Sequence, residues 1–283
     1  MKTDVAYQLN LGGKLLDLST PKVMAIINVT PDSFYSISRM LSEKEILTNV
    51  EKALQEGASI IDMGGYSTRP SAKQISEGEE LERLKSPLKA IRKHFSETIL
   101  SVDTFRSSIA RYVVEEFGVQ MINDVSGGTL DNEMFETVAN LNVAYVLMHM
   151  RGTPETMQQL TDYENLMSDV LHFFEKRVAQ LIHLGVKDIL LDPGFGFAKT
   201  LDQNYELLSK ISYLKELGFP ILAGVSRKSM IYNLLETTPG NALNGTTVLN
   251  TLALLNGVNI LRVHDVQEAM EAVKIVQKYL NQP

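Results

Sequence analysis

The sequence predicts an α/β fold, a (β/α)8 TIM barrel with an N-terminal β-hairpin, and three observations predict it. Short apolar runs recur from one end of the chain to the other, and the stretches between them carry apolar residues at three- and four-residue spacing. A polar residue stands at or just past the C-terminal edge of nearly every run: Asn28, Asp62, Asp103, Asn123, Asp124, His149, Asp192, Arg262 and His264. Continuous apolar runs are strands buried on both faces, as a parallel sheet requires. In a barrel of such strands the site is built at one rim, from strand ends and the loops that follow them.

The elements follow in order. Residues 5–18 alternate apolar and polar side chains around Gly12-Gly13, which reads as a hairpin closing the bottom of the barrel. Strands rich in Val, Ile and Leu and ending in turn signals fall near residues 23–29, 59–63, 98–103, 119–124, 143–149, 188–192, 220–224 and 258–263. Helical periodicity fills residues 42–56, 79–94, 107–116, 131–140, 163–184, 202–217, 243–256 and 266–280. The strands recur on average about every 34 residues, the size of a βα unit whose crossover is a helix.

One domain, residues 1–283, is expected: the length slightly exceeds the roughly 250 residues of a typical barrel, and no low-complexity or Pro/Ser-rich linker divides it. A hydrophobic fraction of 44% with 22% charged residues excludes extensive disorder. A net charge of −7 argues against a general nucleic-acid or anionic-membrane surface while leaving room for a local basic pocket. The absence of cysteine excludes disulfides, thiolate metal sites and cysteine nucleophiles. The first residues hold Asp4 and no apolar core of signal-peptide length, and no later stretch approaches about 18 uninterrupted apolar residues, so a cytoplasmic protein is expected.

Chemistry concentrates in the loops after the runs. NVTPDSF, residues 28–34, puts a neutral amide at a strand end, a modest ligand for Mg²⁺ when a phosphorylated substrate supplies other oxygens. From spacing alone the plainer reading is that Asn28 and Asp32 cap a turn around Pro31. GGYSTRP, residues 64–70, lets backbone N–H groups approach an anion, and Thr68 and Arg69 add donors; a solvated turn is the bland alternative. Asp103 and Asn123-Asp124 can bind a heterocycle's amine edge, stabilise positive charge, or simply cap the next helices. DPGFGF, residues 192–197, sets an acceptor beside two aromatics, so that a flat ring could stack on Phe197 while Asp192 reads its edge. GVSRKS, residues 224–229, and RVHD, residues 262–265, bring Arg227, Lys228, Arg262 and His264 to adjacent strand ends, next to the place where barrels commonly bind phosphate. His172 and His183 read as solvated, His94 as a helix-end residue, and His149 as either buried support or a site residue.

These motifs in this order, with SVDT and INDVSGG between them, resemble the dihydropteroate synthase family, over essentially the whole barrel. The resemblance implies a Mg²⁺-dependent transferase of folate biosynthesis that joins 6-hydroxymethyl-7,8-dihydropterin pyrophosphate to p-aminobenzoate, giving 7,8-dihydropteroate and pyrophosphate. It implies a pterin read by Asp103, Asn123, Asp192 and Lys228 with Met148 and Phe197 packed near the ring. Pyrophosphate would meet Thr68, Arg69, Arg262 and His264, and Asn28 through the metal. The p-aminobenzoate pocket would be made by Pro31, Phe34, Thr68, Pro70, Phe197, Lys228 and Ser229, with Arg227 behind it. Catalysis would rest on Asp103, Lys228, Arg262 and His264, by departure of pyrophosphate to a pterin cation and attack of the amine. Sulfonamides, as mimics of p-aminobenzoate, would compete, and a homodimer through the later helices is implied.

Two departures stand out. After Phe34 the family commonly continues with an Asp and a Gly pair where this chain has Tyr35, Ser36, Ile37, Ser38 and Arg39, and in the second loop Tyr66 and Ser71 replace its usual Glu and Gly. A pterin-binding methyltransferase or a silent pterin-binding barrel are the rival readings; the cations and hydroxyls gathered for a pyrophosphate argue against both.

Overall fold

A computed structural model of the chain describes residues 7–29, 43–67 and 74–282. The chain enters as an antiparallel hairpin, β1 (Gln8–Leu11) and β2 (Lys14–Asp17). Its two-residue loop has φ of +63° at Gly12 and +91° at Gly13, the signs a type I′ turn demands and glycine supplies without a Cβ clash. Leu9 and Leu11 point inward and pack with Leu18 on Met24, Ile60, Met121, Val146, Leu190 and Ile260, which closes one end of the barrel. The backbone N–H of Asn10 donates to Asp188 at 2.7 Å, fastening the hairpin to the far side of that end.

Eight parallel strands follow: β3 (Lys22–Asn28), β4 (Ile60–Gly64), β5 (Leu100–Asp103), β6 (Met121–Asp124), β7 (Ala144–Met148), β8 (Ile189–Asp192), β9 (Leu222–Ala223) and β10 (Ile260–Val263). They pair in the order β8-β7-β6-β5-β4-β3-β10-β9, and a bridge between Leu191 and Ile221 brings the two ends together into a nearly closed barrel. β9 is shorter than the run at 220–224 suggests, because the Ile221 N–H is taken by the Asn259 side chain at 2.9 Å rather than by a neighbouring strand.

The helices lie between the strands: α1 (Glu43–Gln55), α2 (Glu77–His94), α3 (Ser107–Phe117), α4 (Met134–Leu141), α5 (Leu166–His183), α6 (Leu201–Lys210), α7 (Ser229–Tyr232), α8 (Leu243–Leu255) and α9 (Val266–Leu280). Differences from the periodicity have local causes. α2 starts earlier because Ser76 accepts from the Glu79 N–H, and α5 starts later because Asn165 caps Ser168. Residues 131–133 stay outside α4 because the Asp131 carboxylate accepts from the Ser107 N–H at 2.7 Å, capping α3, and from the Glu133 N–H at 2.9 Å. The expected helix at 202–217 is α helix only to Lys210 and 3-10 helix over Ile211–Leu217. The inward faces of these helices and the outward faces of the strands form the main core. Among the described residues no helix is long and apolar enough to cross a membrane.

Candidate active site

At the C-terminal ends of the strands lies a cavity of about 420 Å³. Its floor is charged. Arg262 on β10 donates through Nε to Asp62 Oδ2 on β4 at 2.7 Å and through Nη2 to Asp103 Oδ2 on β5 at 2.9 Å. Asn123 on β6 donates to the same Asp62 oxygen at 3.1 Å. Asp62 is wholly buried, and its Oδ1 has no hydrogen-bond partner among the described residues. Burial pushes the Asp103 carboxyl up to about 7 against the pull of Arg262, with the neighbouring Asp62 adding to the rise. Burial also works against the charge on Arg262, but Asp62 and Asp103 outweigh it and raise its pKa.

The second half of the floor comes from β8 and the segments after β8 and β9. Burial raises the pKa of Asp192 while Lys228 opposes the rise, and burial pushes the Lys228 ammonium down to about 8 while Asp192 opposes the fall. Lys228 Nζ donates to the Phe195 carbonyl and lies 4.8 Å from the centre of the Phe197 ring. Met148, at the end of β7, lines the same space. The cavity thus gathers Asp103, Asn123, Met148, Asp192, Phe197 and Lys228, the residues expected to read a heterocycle, together with Arg262, expected at the pyrophosphate. Carboxylate acceptors, cationic donors and one aromatic face suit a flat ring carrying N–H groups on one edge and acceptors on another.

The rim holds Asn28, Ser229 and His264. Asn28 Oδ1 sits where a side chain on Gly64 would intrude: a Cβ there would be 2.9 Å from it. His264 Nδ1 lies 3.0 Å from Ser226 Oγ, and the His264 N–H donates to the same oxygen at 3.2 Å, which fixes the imidazole at the mouth. Arg227 turns to Asp265, bound through Nε and Nη2 at 2.9 and 2.8 Å, and to the carbonyls of Pro239 and Gly240, so its guanidinium ties the rim to the loop before α8. It holds φ of +54°, a left-handed conformation that a non-glycine residue keeps only when its surroundings fix it. Pro31, Phe34, Thr68, Arg69 and Pro70, together with Asp32, residues 35–39 and Ser71, lie outside the described residues.

Some polar strand ends are internal supports. Asp124 accepts from the Ser126 and Gly128 N–H groups and from the Tyr145 hydroxyl at 2.7, 2.9 and 2.6 Å. His149 packs edge-on against Phe173 and accepts from Lys199. His172 is exposed, and His94 Nδ1 lies 2.9 Å from the Ala90 carbonyl in its own helix. The sequence reading left Asp62 without a role, although a charged residue inside the fully buried run IIDMG was the signal for one. Tyr66, Met157 and Gln158 also line the cavity.

Comparison with known proteins agrees with this geometry. Residues 24–264 match the family of pterin binding enzymes. The dihydropteroate synthase of Haemophilus influenzae is 40% identical over 97% of this chain and 99% of its own length. The Yersinia pestis dihydropteroate synthase, solved in a sulfonamide drug complex, superposes with a TM-score of 0.93 at 38% identity, covering 98% of this chain and all of that one. The Xanthomonas albilineans dihydropteroate synthase, solved with 4-aminobenzoic acid, gives 0.90 at 34% identity over 98% of this chain and all of its own. The chain therefore belongs to the dihydropteroate synthases, transferases of folate biosynthesis built on a pterin-binding barrel.

Proposed function

We propose that the cavity joins 6-hydroxymethyl-7,8-dihydropterin pyrophosphate to p-aminobenzoate, in the cytoplasm, releasing pyrophosphate and 7,8-dihydropteroate. The observation that carries the reading is the array of Asp62, Arg262 and Asp103 sharing one buried floor with Asp192 and Lys228 beneath a polar rim. Asp103, Asn123, Asp192 and Lys228 bind the polar edges of the pterin, and Met148 and Phe197 pack against its faces. Arg262 and His264 receive the pyrophosphate together with Thr68 and Arg69. Pro31, Phe34, Thr68, Pro70, Phe197, Lys228 and Ser229 surround the p-aminobenzoate.

Magnesium is part of this reading. Asn28 offers one neutral oxygen, and no group of three or more His, Cys, Asp or Glu residues suited to a metal occurs among the described residues. That donor set fits Mg²⁺ carried in on the pyrophosphate oxygens, where the ion would neutralise charge on the leaving group. The bond between the exocyclic carbon and the pyrophosphate oxygen breaks with both electrons leaving on oxygen. Asp103 and its neighbouring carboxylates stabilise the resulting pterin cation. The aniline nitrogen then forms the new C–N bond and loses a proton to solvent. No protein nucleophile is needed.

A homodimer completes the proposal. α8 is apolar around much of its circumference, and Val248, Leu252 and Leu255 on it and Ile275, Tyr279 and Leu280 on α9 are exposed side chains that a second copy would cover. The purified protein should release pyrophosphate from the pterin substrate with Mg²⁺ and p-aminobenzoate, with matching dihydropteroate. Sulfonamides should raise the apparent KM for p-aminobenzoate alone. Tight pterin binding with neither product would overturn the assignment.

A further inference from the structure

The segment after β8 is held by side chains at every carbonyl from Gly194 to Ala198. Lys199 Nζ donates to the carbonyls of Gly194 and Phe197 at 3.0 Å each, and Lys228 Nζ donates to Phe195. Gln158 reaches the Gly196 carbonyl at 3.5 Å, and the Tyr163 hydroxyl donates to Ala198 at 2.9 Å. Lys228 faces the cavity. Lys199 does not line it, and is 4% exposed.

The third proton of the Lys199 ammonium points at His149 Nδ1, 3.0 Å away. An ammonium has three donors, and here each meets a neutral acceptor and none a carboxylate. Burial, then the nearby charges of Lys199 and Arg151, hold the His149 pKa well below its usual value. The ring is therefore neutral, and it accepts at Nδ1 when its proton is on Nε2. Burial also pushes Lys199 itself down to about 7. Burying this cation is costly, and its three hydrogen bonds to neutral acceptors offset that cost. What the arrangement achieves is geometric. Gly194 runs so close to the end of β7 that a Cβ on it would lie 2.1 Å from the His149 carbonyl oxygen, and its N–H donates to Asp192 Oδ1 at 2.8 Å. A shift of Gly194 would therefore carry the Asp192 carboxylate with it, and a shift of Phe197 would carry the ring that lines the cavity.

We propose that Lys199 is a positioning residue for the pterin: by tying Gly194 and Phe197 to His149, it sets the Asp192 carboxylate and the Phe197 ring against the heterocycle without touching it. The inference rests on the pterin being read by Asp192, as proposed above.

The test is Lys199→Met, of similar length and without donors, with binding of the pterin pyrophosphate measured by calorimetry well below the melting temperature. Affinity should fall about tenfold to a hundredfold, the range expected when a hydrogen bond to a charged group such as Asp192 is weakened or lost. KM for the pterin should rise with kcat little changed, and the melting temperature should fall, because the Gly194 and Phe197 carbonyls lose their donor. Lys199→Gln, which keeps two N–H donors without the charge, should recover part of the affinity, and it serves in place of the Met variant if that one does not fold. Wild-type pterin affinity in the folded variants, whatever happens to stability, would overturn the inference. Asp192→Ala separates the two levels. If it leaves pterin affinity intact, the placement of the ring is wrong; if it abolishes binding while the Lys199 variants bind normally, only the role of Lys199 fails.

Discussion

Arg92 and Arg262 sit at opposite ends of the barrel and are bound in opposite ways. At the N-terminal end, Arg92 donates to the carbonyls of Phe117, Thr98 and Gly118, each at 2.6 Å, and to the Gln120 amide oxygen at 2.8 Å, all neutral acceptors. Burial lowers its pKa. At the C-terminal end, Arg262 is held by two carboxylates that raise its own, and one of them, Asp62, keeps an oxygen without a partner among the described residues. The first arrangement satisfies its acceptors and does nothing but lock loops together. The second holds opposed charges in a cavity, where field and hydrogen-bonding capacity remain for a ligand. The bottom of the barrel is built for stability and the top for electrostatic work.

Removing each arginine is the sharpest way to break that contrast. Arg262→Met strands Asp62 and Asp103 as neighbouring buried acids, a loss of about 3–5 kcal/mol for a broken buried pair. Turnover should vanish along with it; denaturant unfolding that shows less than about 1 kcal/mol of change would contradict the charge balance among Arg262, Asp62 and Asp103. Asp103→Asn should act chiefly on rate. It keeps a side chain of the same shape, relieves repulsion from Asp62, and should lower turnover about 10²- to 10³-fold, the usual loss for a missing electrostatic contact in a transition state. Near-normal turnover would remove Asp103 from the mechanism. Arg92→Met should be the reverse case, costing about 2–3 kcal/mol of stability through carbonyls left without a donor and leaving kcat unchanged in the folded protein. A fall in kcat would show that the two ends are mechanically coupled.

The same contrast explains what could be read from the sequence. Strands such as residues 119–124 and 143–149 were legible because continuous apolar runs permit little else, and their terminal polar residues could be placed on one rim from topology alone. The convergence of Asp103, Asn123, Asp192, Lys228 and Arg262 follows from that placement. What the pattern could not give was partnership. Asp124 and Asn123 are adjacent in sequence, yet Asn123 turns to Asp62 and the cavity while Asp124 is consumed by Ser126, Gly128 and Tyr145, because successive side chains on a strand face opposite ways. Lys199 left no trace in the apolar periodicity, since it works on backbone carbonyls. The short strand β9 was hidden for a similar reason: a single side chain, Asn259, takes the N–H of Ile221 that the ladder would have used.

The finest difference between the two ends should appear in pH dependence. Asp103, pushed up to about 7, is ionised only above that pH, and Lys228, pushed down to about 8, is charged only below it. The free enzyme's kcat/KM should therefore be bell-shaped, with limbs near 7 and 8 that each fall about tenfold per pH unit. Stability should run the other way on the acid side. A carboxyl whose folded pKa lies above its unfolded value of about 4 binds its proton more tightly when folded, so stability is fully present below that value and is lost as pH rises toward about 7. Asp192 and Asp124 are raised as well and act in the same direction. Activity should thus rise with pH through the interval in which stability declines, as expected if the charges at the top are kept for the reaction at the fold's expense. Asp103→Asn should abolish the acid limb and flatten the stability slope, whereas Arg92→Met should lower stability equally at every pH. An unchanged acid limb in Asp103→Asn would assign it to another carboxylate of the floor, with Asp192 the next to replace.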